Sequence, residues 1–138
     1  SNGTQYATGG FSNDIYIGSL EAQETPTQIN CSCGDQRALL FSRDDKTLFV
    51  GGRDGMVHVL DVSQAKIITE FQAHRGRLRA LAIDESGNTL TSVGEDRFVQ
   101  RKNWQTGETQ LSLKLTAGKL LAVEPIDDQR LAIASADN

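Results

Sequence analysis

No apolar run in this 138-residue chain approaches the roughly 20 residues a helix needs to cross a bilayer, so no membrane partner is expected. Proline is nearly missing, with two residues, and turns must rest on 13 glycines together with aspartate and asparagine. An excess of positive charge is missing too. Fourteen Lys and Arg stand against 18 Asp and Glu, giving a net charge of −4. Phosphate contacts dominate nucleic-acid affinity, so no nucleic-acid partner is expected. Long helical periodicity is absent. What is present is ordinary for a folded globular domain: 38% apolar and 23% charged residues. The opening residues Ser1-Asn2-Gly3-Thr4 carry no basic region followed by an apolar one, so they are no signal peptide, and a cytoplasmic address is the default expectation.

Only two cysteines occur, as the pair Cys31-x-Cys33. Residues two apart in a strand point to one side but are poorly placed for an unstrained disulfide. Two reduced, structural cysteines are expected. A metal site would need two further ligands, which the following Gly34, Asp35 and Gln36 do not supply, so no metal is expected.

The strongest signal is an internal repeat. A shift of 42 residues carries Arg37-Ala38-Leu39 onto Arg79-Ala80-Leu81, Thr47-Leu48 onto Thr89-Leu90, Gly52 onto Gly94, Asp54 onto Asp96 and Val57 onto Val99. The same shift upstream places Gly9-Gly10 on Gly51-Gly52, and a shift of 41 downstream places Asp96 on Asp137. Ser12, Asp54, Asp96 and Asp137 mark one beat. Two full units are expected, 35–76 and 77–117, flanked by partial units 1–34 and 118–138.

Within the second unit, strand-length segments rich in Val, Ile, Leu, Phe and Thr cover 37–42, 47–51, 56–62 and 66–71. Asp44-Asp45-Lys46, Arg53-Asp54-Gly55 and Ser63-Gln64-Ala65 separate them. The third unit repeats the pattern around Ser86-Gly87-Asn88, Glu95-Asp96-Arg97 and Gln105-Thr106-Gly107. Four short strands joined by tight turns predict an antiparallel meander. Ala38-Leu39-Leu40-Phe41 and Leu48-Phe49-Val50 are apolar without alternation, which predicts sheets covered on both faces. Stacking such sheets around an axis covers both faces, which is the logic of an all-β propeller.

These units resemble the blades of the WD-repeat family. The resemblance rests on Leu39-Leu40-Phe41-Ser42-Arg43-Asp44-Asp45, on Leu48-Phe49-Val50-Gly51-Gly52-Arg53-Asp54-Gly55, on Val57-His58-Val59-Leu60-Asp61-Val62, and on Phe71-Gln72-Ala73-His74 where the family has Gly-His. It covers essentially the whole chain. The departures are specific. Gly18, Leu60 and Lys102 replace the name-giving Trp in three successive units, and its Asp survives only as Asp61, with Ser19 and Asn103 elsewhere. Of the family's hydrogen-bonded network, the third unit keeps His74, Ser92 and Asp96, which the resemblance makes structural. The first unit lacks its innermost strand and the last stops after its second. About three blades' worth of strands make an incomplete ring. Either the chain is an excerpt of a longer one, which is the preferred reading, or copies join to complete a ring.

Candidate contact residues fall in two groups. Arg97, Arg101, Lys102 and Trp104 gather basic and aromatic character where the family has an apolar strand, and suit an acidic peptide or phosphate, or else a degenerate blade near solvent. Arg75-Gly76-Arg77-Leu78-Arg79 is a second basic run. Arg37 matches Arg79 across units and Arg53 matches Glu95. By resemblance these rim positions, with Arg101 and Trp104, are the expected contacts for a protein or peptide; a solvated rim of surface salt bridges is the alternative. Gly51-Gly52-Arg53-Asp54-Gly55 lacks the Lys-Ser/Thr and helix of a phosphate loop and reads as a turn. The pairs Asp44-Asp45 and Asp127-Asp128 also read as turn chemistry rather than acid and base.

A non-catalytic interaction scaffold without cofactor is the expected function. The alternative is part of a quinoprotein-like or hydrolase propeller enzyme, which Asp54 to Asp61 followed by Phe71 echoes, although Phe71 and Leu113 stand where such blades place Trp. A third is a propeller accompanying a catalytic domain outside this chain. Function resides in sites rather than in the fold.

Overall fold

The computed structural model describes residues 3–127 and 129–136, so Asp128, the fourth beat at Asp137, and Asn138 lie outside the described residues. All regular structure among them is β. The strands are β1 (Gln5–Thr8), β2 (Asp14–Ser19), β3 (Thr27–Asn30), β4 (Gln36–Phe41), β5 (Thr47–Gly52), β6 (Met56–Asp61), β7 (Lys66–Gln72), β8 (Leu78–Ile83), β9 (Thr89–Gly94), β10 (Phe98–Asn103), β11 (Thr109–Lys114), β12 (Lys119–Pro125) and β13 (Leu131–Ala136). They form four antiparallel meanders: β1-β2-β3, β4-β5-β6-β7, β8-β9-β10-β11 and β12-β13. The sheets are not closed into a ring.

The repeat is visible in the backbone as well as in the side chains. Left-handed residues recur at the same 42-residue spacing: Gly3, Asp45 and Gly87 (φ 75°, 58° and 75°), Gly55 and Arg97 (74° and 70°), Ala65 and Gly107 (51° and 78°). Each turn keeps its geometry although one copy in each set is not glycine. Gly55 needs to be glycine for a second reason: a Cβ there would run into the carbonyl oxygens of His74 and Gly76. The beat residues share one local hydrogen bond. Ser12 Oγ, Asp54 Oδ1 and Asp96 Oδ1 each accept from the amide two residues on, at 3.3, 3.0 and 3.1 Å.

Three apolar layers lie between successive sheets. Ile15, Ile17 and Ile29 meet Leu48, Val50 and Leu60; Phe49, Val57 and Val59 meet Leu78, Ile83 and Leu90; Val93 and Val99 meet Leu120 and Val123. Both faces of β5 are therefore buried, which is why its sequence does not alternate. The first strands of successive sheets, β4, β8 and β12, touch one another along one side of the stack.

The cysteines depart from expectation. Cys31 and Cys33 are disulfide-bonded, not reduced. The strand ends at Asn30, and Ser32 between them adopts φ 51°, bringing the two Cα atoms to 5.1 Å. Residues two apart in a straight strand would stand about 6.7 Å apart, at the upper limit of the usual disulfide separation. Gln36 secures the same loop. Its side-chain amide donates to the carbonyls of Ser12 and Gly34, and its Oε1 accepts from the Gly10 amide at 2.8 Å.

Candidate functional site: one loop end of the sheets

The loops 9–13, 31–35, 53–55, 73–77, 95–97 and 115–118 all emerge at one end of the four sheets. This end carries a hydrogen-bonded centre and a basic rim.

The centre is His74, in the loop entering the third sheet. Its Nδ1 lies 2.9 Å from Asp96 Oδ1 and its Nε2 lies 2.9 Å from Ser92 Oγ. Asp96 also accepts from the amides of Arg75 and Phe98, at 3.0 and 3.1 Å. Burial opposes ionisation of Asp96, but hydrogen bonds from His74 and these two amides outweigh it and hold the carboxyl below its usual range. The connectivity is that of a hydrolytic triad, yet its chemistry is not. Ser92 is 3% exposed in the middle of β9, its hydroxyl is committed to His74, and the backbone around it is engaged in the ladders to β8 and β10. The group ties an entering loop to a turn within the sheet.

The second sheet solves the same problem differently. Ser32 stands where His74 would be, and Asp54 is held instead by His58, four residues along. His58 is buried between two carboxylates, with Nε2 3.0 Å from Asp54 Oδ2 and Nδ1 3.1 Å from Glu70 Oε2. Sequence reading passed over this role of His58; the strand alternation that puts it opposite Glu70 was the available signal.

Around this centre stand Arg37, Arg53, Arg75, Arg77, Arg79 and Lys119. A β-bulge recurs near the start of each first strand, between Gln36 and Ala38, Leu78 and Ala80, and Leu120 and Ala122. The extra residues are Arg37, Arg79 and Leu121. A bulged residue is left out of the ladder and its side chain is re-aimed, which sets both arginines at the rim in equivalent places. Arg37 reaches Asp35 at 2.8 Å and lies over the Phe11 ring, 4.9 Å from its centroid. Arg53 is exposed. Arg79 bonds to Glu95, which Lys119 and Arg77 also approach, at 3.5 and 3.8 Å. Burial opposes the charge of Glu95, but its bond to Arg79 and the three cations prevail and hold its carboxyl low. One carboxylate thus faces three cations. Arg77 belongs to the basic run seen in the sequence, whereas Lys119, which the 42-residue shift relates to it, was not singled out.

The other expected cluster is dispersed. Arg101 and Lys102 are neighbours in β10 and so point to opposite faces, Arg101 toward β12 and Lys102 toward β7. Trp104 lies beyond the strand, at the far end of the sheet. Its ring meets Phe49 edge-on at 5.2 Å and its Nε1–H donates to the Gly87 carbonyl at 2.9 Å. Arg97 occupies the tight turn at φ 70°. At that far end the turns carry Asp44, Asp61, Asp84 and Asp127, each accepting backbone amides of its own turn. Asp44 and Asp127 are thus turn caps, and these four carboxylates contribute to the net negative charge.

Among the described residues no group of three or more His, Cys, Asp and Glu could hold a metal ion, and no helix is long and apolar enough to cross a membrane.

A family model described as the anaphase-promoting complex subunit 4 WD40 domain matches residues 12–85, just over half of the chain. The guanine nucleotide-exchange factor SEC12 of Rattus norvegicus is 33% identical over 101 residues, which are 67% of this chain and 23% of that protein. WD repeat-containing protein 91 of Gallus gallus is 31% identical over 83 residues, 59% of this chain and 10% of that protein. The chain thus spans less than a quarter of these curated relatives. Among solved structures, the WD40 repeats of RRP9 superpose with a TM-score of 0.86 at 18% identity, over 96% of this chain and 42% of that one. The WD40 β-propeller domain of Doa1 gives 0.86 at 18%, over 98% and 45%. Sequence and fold agree, and the chain belongs to the WD40-repeat family, its sheets being blades of a WD-repeat β-propeller.

Proposed function

We propose that this chain is a non-catalytic interaction segment of a WD-repeat propeller, and that it presents the basic loop end to an acidic stretch of a partner protein. The observation that carries the reading is the repeated bulge, which takes Arg37 and Arg79 out of the packing and sets them at equivalent points of one rim. Arg53 and Glu95 complete the contact set, Glu95 by fixing Arg79 rather than by offering its charge. Arg101 lies on a face toward the next sheet and Trp104 in the packing between sheets at the far end, so neither stands on this rim. The rest of the ring comes from a longer parent chain, or from further copies.

A displayed peptide library, selected on the chain, tests this. Acidic peptides that lose at least about tenfold in affinity for the triple variant Arg37→Ala, Arg53→Ala, Arg79→Ala, and nothing for the far-end variant Arg43→Ala, Arg130→Ala, are the expected result. Selected peptides that bind the triple variant undiminished would overturn the assignment of the rim.

A further inference from the structure

The polar slot between the second and third sheets reads as a ligand site. Antiparallel register gives two cross-strand rows on the face that each sheet turns to the sheet before it. In the second sheet one row is Leu48, Leu60 and Ile67, and it packs against the first sheet. In the third sheet the equivalent row is Leu90, Lys102 and Thr109. The next row, Val50, His58 and Glu70, becomes Ser92, Gln100 and Ser112. The first sheet fills its version differently: Gly18 leaves room for the Tyr6 ring, which a Cβ at that position would strike.

The third sheet leaves the space open. A cavity of about 250 Å³ lies there, closed on its other side by Phe71, Gln72 and Ala73. Its deep end is Leu90 and Ser92, both buried; its mouth is at Thr109 and Ser112, both exposed. The Lys102 ammonium stands 4.8 Å from the Phe71 ring centroid, and among the described residues no carboxylate pairs with it. A cation, two exposed hydroxyls and an amide thus converge on a recess with one aromatic wall.

We infer that this slot binds a small organic carboxylate, its anionic group on Lys102 and the hydroxyls of Ser112 and Thr109, its apolar part against Phe71 and Leu90. The cavity is slightly smaller than the roughly 300–1,000 Å³ of drug-sized sites, which limits the occupant to a single ring or short branched chain. The inference is independent of the partner proposed for the rim. Binding here joins β7 to β10 and β11, so it also tightens the contact between two blades.

The probe is benzoate, followed by amide and Lys102 side-chain resonances during titration of the chain, with benzyl alcohol and inorganic phosphate as comparisons. Benzoate is expected to saturate with shifts at Lys102, Ser112 and Phe71, and to bind at least about tenfold more tightly than either comparison. Lys102→Leu restores the residue of the second sheet; it is expected to keep or raise the melting temperature and to weaken benzoate at least about tenfold. Lys102→Arg is expected to retain it. Failure of benzoate to bind, equal binding by benzyl alcohol or phosphate, or undiminished binding to a folded Lys102→Leu variant would each overturn the inference. N-acetylphenylalanine, a mimic of a peptide C-terminus, distinguishes the source. Tighter binding than benzoate points to a chain terminus and weaker binding to a free acid, either of which upholds a carboxylate site.

Discussion

Truncating Asp96 to alanine removes one acceptor from three donors at once. His74 Nδ1, at 2.9 Å, belongs to a side chain with no exposure, so its N–H is left without water or protein partner. A buried donor stranded in this way costs about 1–3 kcal/mol. The amides of Arg75 and Phe98 sit nearer the surface and regain water, so their loss adds about 0.5–1 kcal/mol each. The sum is about 3 kcal/mol, or a melting temperature lower by roughly 10 °C for a domain of this size. The assay is urea unfolding followed by the fluorescence of Trp104, the single tryptophan, which is packed on Phe49 between two sheets. Asp96→Asn should lose about half as much. Its oxygen still accepts from His74 and Phe98, whereas its amide faces the Arg75 N–H. The pH dependence has a definite sign. The folded carboxyl lies below its unfolded value, so its contribution is fully present above about pH 4 and is lost as pH falls through the folded value. The stability gap between parent and Asp96→Ala should therefore close on acidification below pH 4. An Asp96→Ala variant no less stable than Asp14→Ala, whose carboxylate takes an exposed bond from Asn30 at 3.2 Å, would refute the reasoning.

Arg97→Gly should stabilise the chain by about 1 kcal/mol in the same assay, because it relieves a left-handed non-glycine residue at φ 70°. Gly55→Ala should destabilise it by about 2 kcal/mol or more, since φ 74° is joined there by contact with two carbonyl oxygens. Cys31 and Cys33 should resist alkylation in unfolded, unreduced protein and take up two alkyl groups after a dithiol; prompt alkylation without reductant would contradict the bonded pair. Glu95→Gln, which leaves three cations without their common counter-charge, should tighten the binding of an acidic peptide selected on the rim, and more so at low salt.

The periodic part of the molecule could be read without coordinates because each unit repeats its turns. The beat at Ser12, Asp54 and Asp96 corresponds to one recurring side-chain-to-amide bond, and the unalternating Leu48-Phe49-Val50 corresponds to a strand covered twice. What stayed hidden depends on single dihedral angles or on register. The cysteine pair required the left-handed turn at Ser32, for which serine gives little warning. The aim of Arg37 and Arg79 came from bulges, which shift a strand by one residue without a mark of their own. Arg101, Lys102 and Trp104 look like one patch in a linear sequence, while strand alternation sends them to three environments. The open slot at Lys102 follows from register, which pairs Lys102 with Leu90 where the second sheet pairs Leu60 with Leu48.

The bulge has a consequence for how such a molecule can change. A residue that takes no part in the ladder and no part in the layers between sheets is held mainly by its surface partners, and Leu121 shows the position accepting a side chain of quite different character from Arg37 and Arg79. Mutations there alter what the rim presents while leaving the fold intact. Under the proposed function recognition and stability draw on separate residues, and β4, β8 and β12 each offer one such position at the same end of the stack.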